Sequence, residues 1–169
     1  VRITFYEAGH VPGAAMILIE SQREGKFLYT GDFRKTPSNL TLGYCLPSKV
    51  RPDVLLMCGL HAKHPHYMIS DNRNTILPEI CDVVDKSKPC LLPTRELTKG
   101  IEMVSFLADK MDHGELPRCP IFMDDYIWML SERLQENGIP VLREQCHRFP
   151  RTPLSTKPGI YVGGNNYRH

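Results

Sequence analysis

Two short segments near the start of the chain constrain its fold most, because each places one metal-binding side chain at the end of an apolar strand. The first runs from Ala8 to Met16 and contains His10, and the second runs from Tyr29 to Phe33 and contains Asp32. Glycine and proline beside them predict tight turns, from which side chains can converge. Imidazole nitrogen and carboxylate oxygen are both zinc ligands. The same two residues are also typical of a structural ion pair, so the pattern alone leaves both interpretations open.

Three short strands are predicted around these segments. β-Branched, aromatic and aliphatic residues indicate strands from Val1 to Tyr6, from Met16 to Glu20 and from Lys26 to Tyr29. The polar link from Ser21 to Gly25 predicts a hairpin turn. The segment 33–50 is rich in proline, glycine and serine, and is therefore interpreted as a surface connection.

From Asp53 onward, strand and helix patterns alternate, as is typical of βαβ units with a parallel sheet. Helices are predicted near Thr75 to Lys86, with Pro78 in the first turn, and after the cap residue Thr98. A third helix is predicted to begin at Asp124 or Asp125 and to end at Gly138. Strands are predicted at Cys90 to Pro93, Ile121 to Met123, Ile139 to Leu142 and Gly159 to Val162.

The two ligand-bearing segments resemble motifs of the metallo-β-lactamase fold as found in its β-CASP branch, which comprises RNA and DNA nucleases. Further segments resemble the same branch in the same order along the chain: Arg51 to Met57, Pro93 to Met103 and Cys119 to Met123. Endonuclease subunits of mRNA cleavage and polyadenylation complexes, with archaeal and bacterial relatives, are the members that the chain resembles most. Artemis-like DNA repair nucleases resemble it as more distant cousins.

The resemblance implies an α/β architecture in two parts. Residues 1–58 would form the second part of a metallo-β-lactamase-like half, mainly β strands from a sandwich, and residues 59–169 a β-CASP-like region with a parallel βαβ sheet. It also implies catalytic roles for His10 as a terminal ligand of one Zn²⁺ and for Asp32 as the carboxylate that bridges two. Arg95 and Lys99, near a predicted helix N-terminus, are candidate phosphate-binding residues, although solvated surface charges would show the same pattern.

The chain also departs from the family pattern. Cys58 stands where the family has an acidic residue, whereas His64 and His66 fit the motif that follows. With His61, these residues form a local ligand-like cluster, but its spacing is equally typical of a surface loop. The sequence contains no H-x-H-x-D-H run, the motif that supplies most zinc ligands in the family. We therefore expect a fragment that holds a partial zinc site and is inactive alone, with that motif upstream.

Charge and cysteine usage limit the classes of partner. The 21 basic and 19 acidic residues give a net charge of +2, so nucleic acid would have to be bound through local contacts. The six cysteines are scattered without a C-x-x-C pair, which favours reduced thiols. No apolar run approaches membrane-spanning length. These features predict an intracellular protein without a membrane partner. The resemblance implies a nuclear location if the protein is eukaryotic and a cytoplasmic one otherwise.

Three hypotheses of function remain from the sequence. The first is a fragment of a zinc-dependent RNA nuclease of the 3′-end-processing or RNA-decay type. The second is a catalytically degenerate β-CASP subunit that serves as a scaffold in an RNA-processing complex, and Cys58 favours it. The third is an Artemis-like DNA repair nuclease. RNA or DNA and a homologous or complex-forming protein subunit are the expected partners.

Overall fold

The chain folds into two compact units, Val1–His66 and Tyr67–His169. The computed structural model describes residues 1–59, 69–94, 97–149 and 157–164, and the side chains of 69–74, 97 and 98 lie outside that description. Within these described ranges each unit contains one four-stranded sheet, and the second adds helices, so the α/β class predicted from the sequence is confirmed. The predicted domain boundary after residue 58 remains a prediction.

The first sheet has the strand order β1-β2-β3-β4. Neighbouring strands are antiparallel from β1 to β3, whereas β4 pairs with β3 in parallel. The strands span Arg2–Glu7 (β1), Ala15–Ser21 (β2), Gly25–Tyr29 (β3) and Val54–Leu56 (β4). The three strands predicted near the start of the chain are confirmed to within two residues at each end.

Both faces of this first sheet carry apolar side chains, because hydrophobic residues fill successive positions of β2, β3 and β4 instead of alternating with polar ones. One face packs over a small core of Ala8, Met16, Leu18 and Leu28. The other, here called the outer apolar face, is aligned by the strand register and holds residues that are exposed or partly exposed. Its members are Ile3, Phe5, Ile17, Ile19, Phe27, Tyr29, Val54 and Leu56.

The second sheet is parallel throughout, with the strand order β5-β8-β6-β7. Its strands are Pro89–Thr94 (β5), Ile121–Met123 (β6), Cys146–Arg148 (β7) and Gly159–Gly164 (β8). The helices of this unit are Ile69–Asp85 (α1), Leu97–Asp112 (α2) and Asp125–Glu136 (α3).

Helices α2 and α3 cover one face of the parallel sheet. Helix α2 connects β5 to β6, and α3 connects β6 to β7, and both connections run in the same direction across the sheet. Because such crossovers are right-handed, the two helices lie on the same side of the sheet. They contact each other and the strands, and they enclose a core of fully buried side chains. That core includes Ile101, Val104, Leu107, Ile121, Ile127 and Ile160. Within the described ranges, no helix has the length and apolar character needed to span a bilayer.

Three secondary-structure predictions are wrong in detail. Helix α2 begins at Leu97, so Thr98 lies within its first turn instead of preceding it as the cap. Helix α1 begins at Ile69, so Pro78 lies in its interior instead of its first turn. The apolar pattern marked only part of this helix, which continues back over polar residues. The predicted strand from Ile139 to Leu142 is absent, and β7 lies at Cys146–Arg148. The backbone N–H of Leu142 instead donates to Gln135 Oε1, which turns this segment back onto α3.

Helix α3 begins as predicted. Asp124 is its N-cap, and its buried carboxylate accepts a hydrogen bond of 2.8 Å from the backbone N–H of Ile127. This cap satisfies one of the amide groups that the first turn of a helix leaves without a partner.

Candidate metal site

His10 lies in a tight loop between β1 and β2. The backbone N–H of Ala8 donates to the Ala14 carbonyl at 2.9 Å, and Ala14 N–H donates to the Val11 carbonyl at 3.0 Å. Gly9 has a φ of 69°, and a side chain there would collide with the Gly43 backbone. Only glycine therefore fits immediately before His10 without a shift of the neighbouring backbone.

Asp32 follows the end of β3. Before it, Thr30 donates its backbone N–H to the Leu56 carbonyl at 3.0 Å, which ties the end of β3 to β4. The buried Thr30 hydroxyl donates to the Gly31 carbonyl at 2.8 Å. These bonds hold the backbone that leads into Asp32.

The fold brings the two candidate ligands together. Nε2 of His10 lies 3.9 Å from Oδ2 of Asp32, and their side chains are 44% and 66% exposed. A backbone hydrogen bond of 2.9 Å from Arg34 N–H to the Ala8 carbonyl joins the two segments, two residues from each donor. A zinc ion bound tetrahedrally at about 2.1 Å from each donor would place them roughly 3.4 Å apart, so a small side-chain adjustment suffices.

The pair fits part of a metal site. A catalytic zinc usually has three protein ligands, and across residues 1–59, 69–94, 97–149 and 157–164 no group of three or more histidine, cysteine or carboxylate side chains could hold an ion. The ligand roles of His10 and Asp32 remain predictions.

A second His–Asp pair shows that proximity alone does not mark a metal site. At the C-terminal end of α2, Nδ1 of His113, the residue that follows the helix, lies 3.7 Å from Oδ1 of Asp109 within it. The same imidazole nitrogen is 2.8 Å from the Asp109 carbonyl, a local contact at the C-terminal end of the helix. His10 and Asp32 differ because they come from two separate strand ends that converge.

The other predicted site residues are described only in part. Cys58 is half-buried just after β4, and its backbone N–H donates to the Thr30 hydroxyl at 3.4 Å. Lys99 is exposed near the start of α2. His64, His66 and Arg95 lie outside the described residues, as does His61. The proposed phosphate contacts and the local histidine cluster therefore stay predictions.

Thr41 is a candidate functional residue that the sequence interpretation missed. Its hydroxyl is buried and donates to the Gly9 carbonyl at 2.7 Å, within the loop that carries His10. The sequence predicts a surface connection over 33–50, whereas Thr41 within it is buried. The available signal was Ser38 three residues earlier, because a serine hydroxyl in a turn typically accepts a hydrogen bond from a nearby backbone N–H, here that of Thr41.

The cysteines of the second unit are thiols whose ionisation is suppressed. All six cysteines of the chain are free. Burial raises the pKa of Cys119 to about 11, with a further contribution from nearby Cys90. Burial also raises the pKa of Cys90 and of Cys146. These groups are therefore neutral and weakly reactive at physiological pH.

Comparison with known proteins finds relatives among RNA-processing nucleases. The chain is 29% identical over 148 residues to cleavage and polyadenylation specificity factor 73 of Drosophila melanogaster. The aligned residues cover 80% of this chain and 21% of the relative. It is 32% identical over 123 residues to endoribonuclease YSH1 of Mycosarcoma maydis, 72% of this chain and 14% of the relative.

An archaeal protein is also similar. The chain is 27% identical over 110 residues to RNase aCSPSF2 of Saccharolobus solfataricus, 65% of this chain and 22% of the relative. The chain thus spans about a fifth or less of the length of these relatives. No family model matches it.

Proposed function

Because this chain is homologous to the β-CASP nucleases of metallo-β-lactamase fold, we propose that it is the part of a zinc-dependent RNA endonuclease that supplies the ligands His10 and Asp32. The observation that carries the proposal is the 3.9 Å approach of His10 Nε2 to Asp32 Oδ2 at two converging strand ends. The matching relatives are named as ribonucleases or as a cleavage factor, which favours RNA over DNA.

The proposed assignment of the fold follows the two units. Residues 1–58 correspond to part of the metallo-β-lactamase sandwich and residues 59–169 to a β-CASP-like region. The first sheet supports this assignment because its outer apolar face suits a position inside a layered structure. The parallel sheet with helices α2 and α3 on one side supports the second part.

His10 and Asp32 suit complementary roles in the proposed centre. The neutral imidazole offers one nitrogen to a single ion, whereas the Asp32 carboxylate has two oxygens and can bridge a pair. Bound zinc would supply a more acidic water and polarise a phosphate oxygen. The high exposure of both side chains leaves room for an RNA backbone to approach, and Lys99 with Arg95 would neutralise phosphate charge.

Partners and location follow from the same proposal. The similar protein of Dictyostelium discoideum is named as subunit 3 of the cleavage and polyadenylation specificity factor. We extend this to a complex-forming protein partner for the present chain. RNA processing would place the protein inside the cell, in the nucleus of a eukaryote.

Zinc titration of the full 169-residue chain tests the proposal. We expect wild type to bind Zn²⁺, and His10→Ala or Asp32→Ala to weaken binding at least tenfold, since each removes a ligand. His113→Ala is the matched control, because His113 belongs to an exposed His–Asp pair at the C-terminal end of α2 that the proposal does not use. Calorimetry at one pH and ionic strength measures all four proteins. Equal affinity in wild type and the His10 and Asp32 variants would contradict the proposal.

A degenerate scaffold subunit is the second candidate, and Cys58 favours it. A thiol accepts hydrogen bonds far more weakly than a carboxylate, so it is a poor substitute for the family's acidic residue. The variant Cys58→Asp separates the candidates. Under the scaffold hypothesis, wild type binds no zinc and Cys58→Asp creates or strongly improves binding. Under the nuclease hypothesis, wild type already binds and the variant changes affinity little.

A further inference from the structure

We infer that Thr41 is a positioning residue for His10, whose buried hydroxyl fixes the backbone of the loop that carries the imidazole. The metal-binding consequence rests on the proposed function, whereas the effect on the loop itself does not. The residue lies in the segment between the two ligand-bearing strand ends and the β4 strand, and it has no role in the sheet.

The key contact is one long-range hydrogen bond. Thr41 is 5% exposed, and its Oγ1 donates to the Gly9 carbonyl at 2.7 Å across a separation of 32 residues. The Gly9 carbonyl belongs to the peptide group that joins Gly9 to His10. A short hydrogen bond in a buried setting restricts rotation of that peptide group.

The Thr41 hydroxyl is itself held in place by Ser38. Ser38 Oγ accepts hydrogen bonds of 3.1 Å from the backbone N–H groups of Leu40 and Thr41. It also lies 3.2 Å from Thr41 Oγ1. Since Thr41 Oγ1 uses its proton toward Gly9, the Ser38 hydroxyl proton is the one that can lie between the two oxygens. A relay thus runs from Ser38 through Thr41 to the His10 loop.

Backbone packing reinforces this relay. The positions of Gly9 and Gly43 are so close that a side chain at Gly9 would collide with Gly43. Next to this contact, Tyr44 N–H donates to the Arg34 carbonyl at 2.7 Å, and Arg34 N–H donates to the Ala8 carbonyl at 2.9 Å. The segment from Arg34 to Tyr44 therefore supports the backbone beside both candidate ligands, His10 and Asp32.

Such bracing is what an exposed metal ligand requires. With 44% of its side chain exposed, the His10 imidazole is restrained less by its surroundings than a buried side chain would be. The orientation of the loop then decides whether Nε2 points toward Asp32. Loss of an interaction that orients a ligand without contacting the metal typically lowers metal affinity by about 10- to 100-fold.

Three variants of the 169-residue chain test the inference. Thr41→Val removes the hydroxyl at nearly constant shape, and Thr41→Ser keeps the hydroxyl. Thr94→Val is the matched control, because the Thr94 hydroxyl also donates to a backbone carbonyl, that of Gly163 at 3.2 Å, in the second sheet. Two quantities are measured for each: the ¹⁵N relaxation of the amides of residues 10, 11 and 13, and the affinity for Zn²⁺.

We expect Thr41→Val to raise the mobility of these amides and to weaken Zn²⁺ binding about tenfold. Thr41→Ser should restore both quantities, and Thr94→Val should change neither. If Thr41→Val does not fold, Ser38→Ala replaces it, since that change weakens the relay while keeping the Thr41 hydroxyl.

The outcomes separate this inference from the proposed function. Unchanged loop amides in Thr41→Val overturn the inference whether or not zinc binds. The inference is also overturned if Thr41→Val has a mobile loop but binds Zn²⁺ as tightly as wild type does. Wild type that binds no zinc, with a loop that becomes mobile in Thr41→Val and rigid in Thr41→Ser, refutes the proposed function while supporting the positioning role of Thr41.

Discussion

The two sheets of this protein differ in how they obtain their cores. The first sheet buries Ala8, Met16, Leu18 and Leu28 on one side, while its outer apolar face stays exposed, with Phe5 at 66% and Leu56 at 53%. In the second sheet, strands β8 and β6 pack against helices α2 and α3. Ile121, Ile160 and Leu107 are fully buried between them.

This difference teaches that the candidate metal ligands lie in the unit that buries less of its own apolar surface. Burial of apolar surface is the main favourable term in folding, at roughly 25 cal/mol per Å². A sheet that leaves one apolar face exposed forgoes part of that stabilisation, whereas the second unit gains it through its own helices. His10 and Asp32 lie at the strand ends of the first sheet.

The largest expected effect is in the core of the second unit. Leu107→Ala should lower the free energy of unfolding of that unit by about 3 kcal/mol, because it removes buried methyl groups and leaves a cavity. Urea unfolding, followed by resolved amide signals of each unit, measures the change. Met129→Ala, at a side chain 45% exposed on α3, is the control and should change stability much less. A loss below about 1 kcal/mol for Leu107→Ala would break the comparison, since it would mean a loosely packed second core.

An intermediate effect is expected from alkaline pH. The unfolded Cys119 thiol ionises near pH 9.0, whereas burial raises the folded pKa to about 11. Between these values the unfolded state holds fewer protons, so stability of the second unit should fall as pH rises from 9 toward 11. We expect a loss of about 1 kcal/mol, less than the full linkage value because the thiol is only partly buried.

Urea midpoints at pH 7.5 and pH 10.5 measure this loss. Cys119→Ala should reduce the pH dependence without abolishing it, because burial also raises the pKa of Cys90 and of Cys146. Cys45→Ser, at an exposed thiol of the first unit, should retain the full pH dependence. An equal slope in wild type and Cys119→Ala would show that other groups control the alkaline response.

The smallest effect on stability is expected at the outer apolar face. Phe5→Thr should change the free energy of unfolding by no more than about 0.5 kcal/mol, since Phe5 is exposed and threonine suits a strand. The same variant should roughly halve the fluorescence of a bound hydrophobic dye such as anilinonaphthalene sulfonate, because an exposed patch loses an aromatic ring. Thr4→Ser, whose side chain points to the opposite side of β1, is the control. A loss of 2 kcal/mol or more for Phe5→Thr would mean that this face is covered in solution.

The regular elements were largely predictable from sequence because their residues carry strong local signals. Strand Ile121–Met123 and the capped start of α3 at Asp124 match prediction, since an apolar run followed by an N-cap aspartate has few other interpretations. The start of α1 was not predictable from the apolar pattern, because its first turns contain polar residues. The strand order β5-β8-β6-β7 depends on long-range pairing that no local pattern encodes.

The candidate site was predictable only in its two donors. His10 and Asp32 are conspicuous as metal-binding residue types on turns, and the fold places them 3.9 Å apart. Thr41 was not, because its function depends on a contact with Gly9 across 32 residues and threonine is common in loops. A residue that positions the backbone of a metal ligand is hard to recognise from the sequence, since almost any hydroxyl-bearing side chain in the right place could make the same hydrogen bond.

The hydrogen bond from Arg34 to Ala8 has a consequence for how this protein is made. Both candidate ligands and the residues that brace them, up to Leu56 in β4, precede the parallel sheet, which begins at Pro89, so their assembly needs no contact with that sheet. Short loops close quickly. During translation, the imidazole and carboxylate would therefore already face each other while the ribosome is still synthesising the parallel sheet.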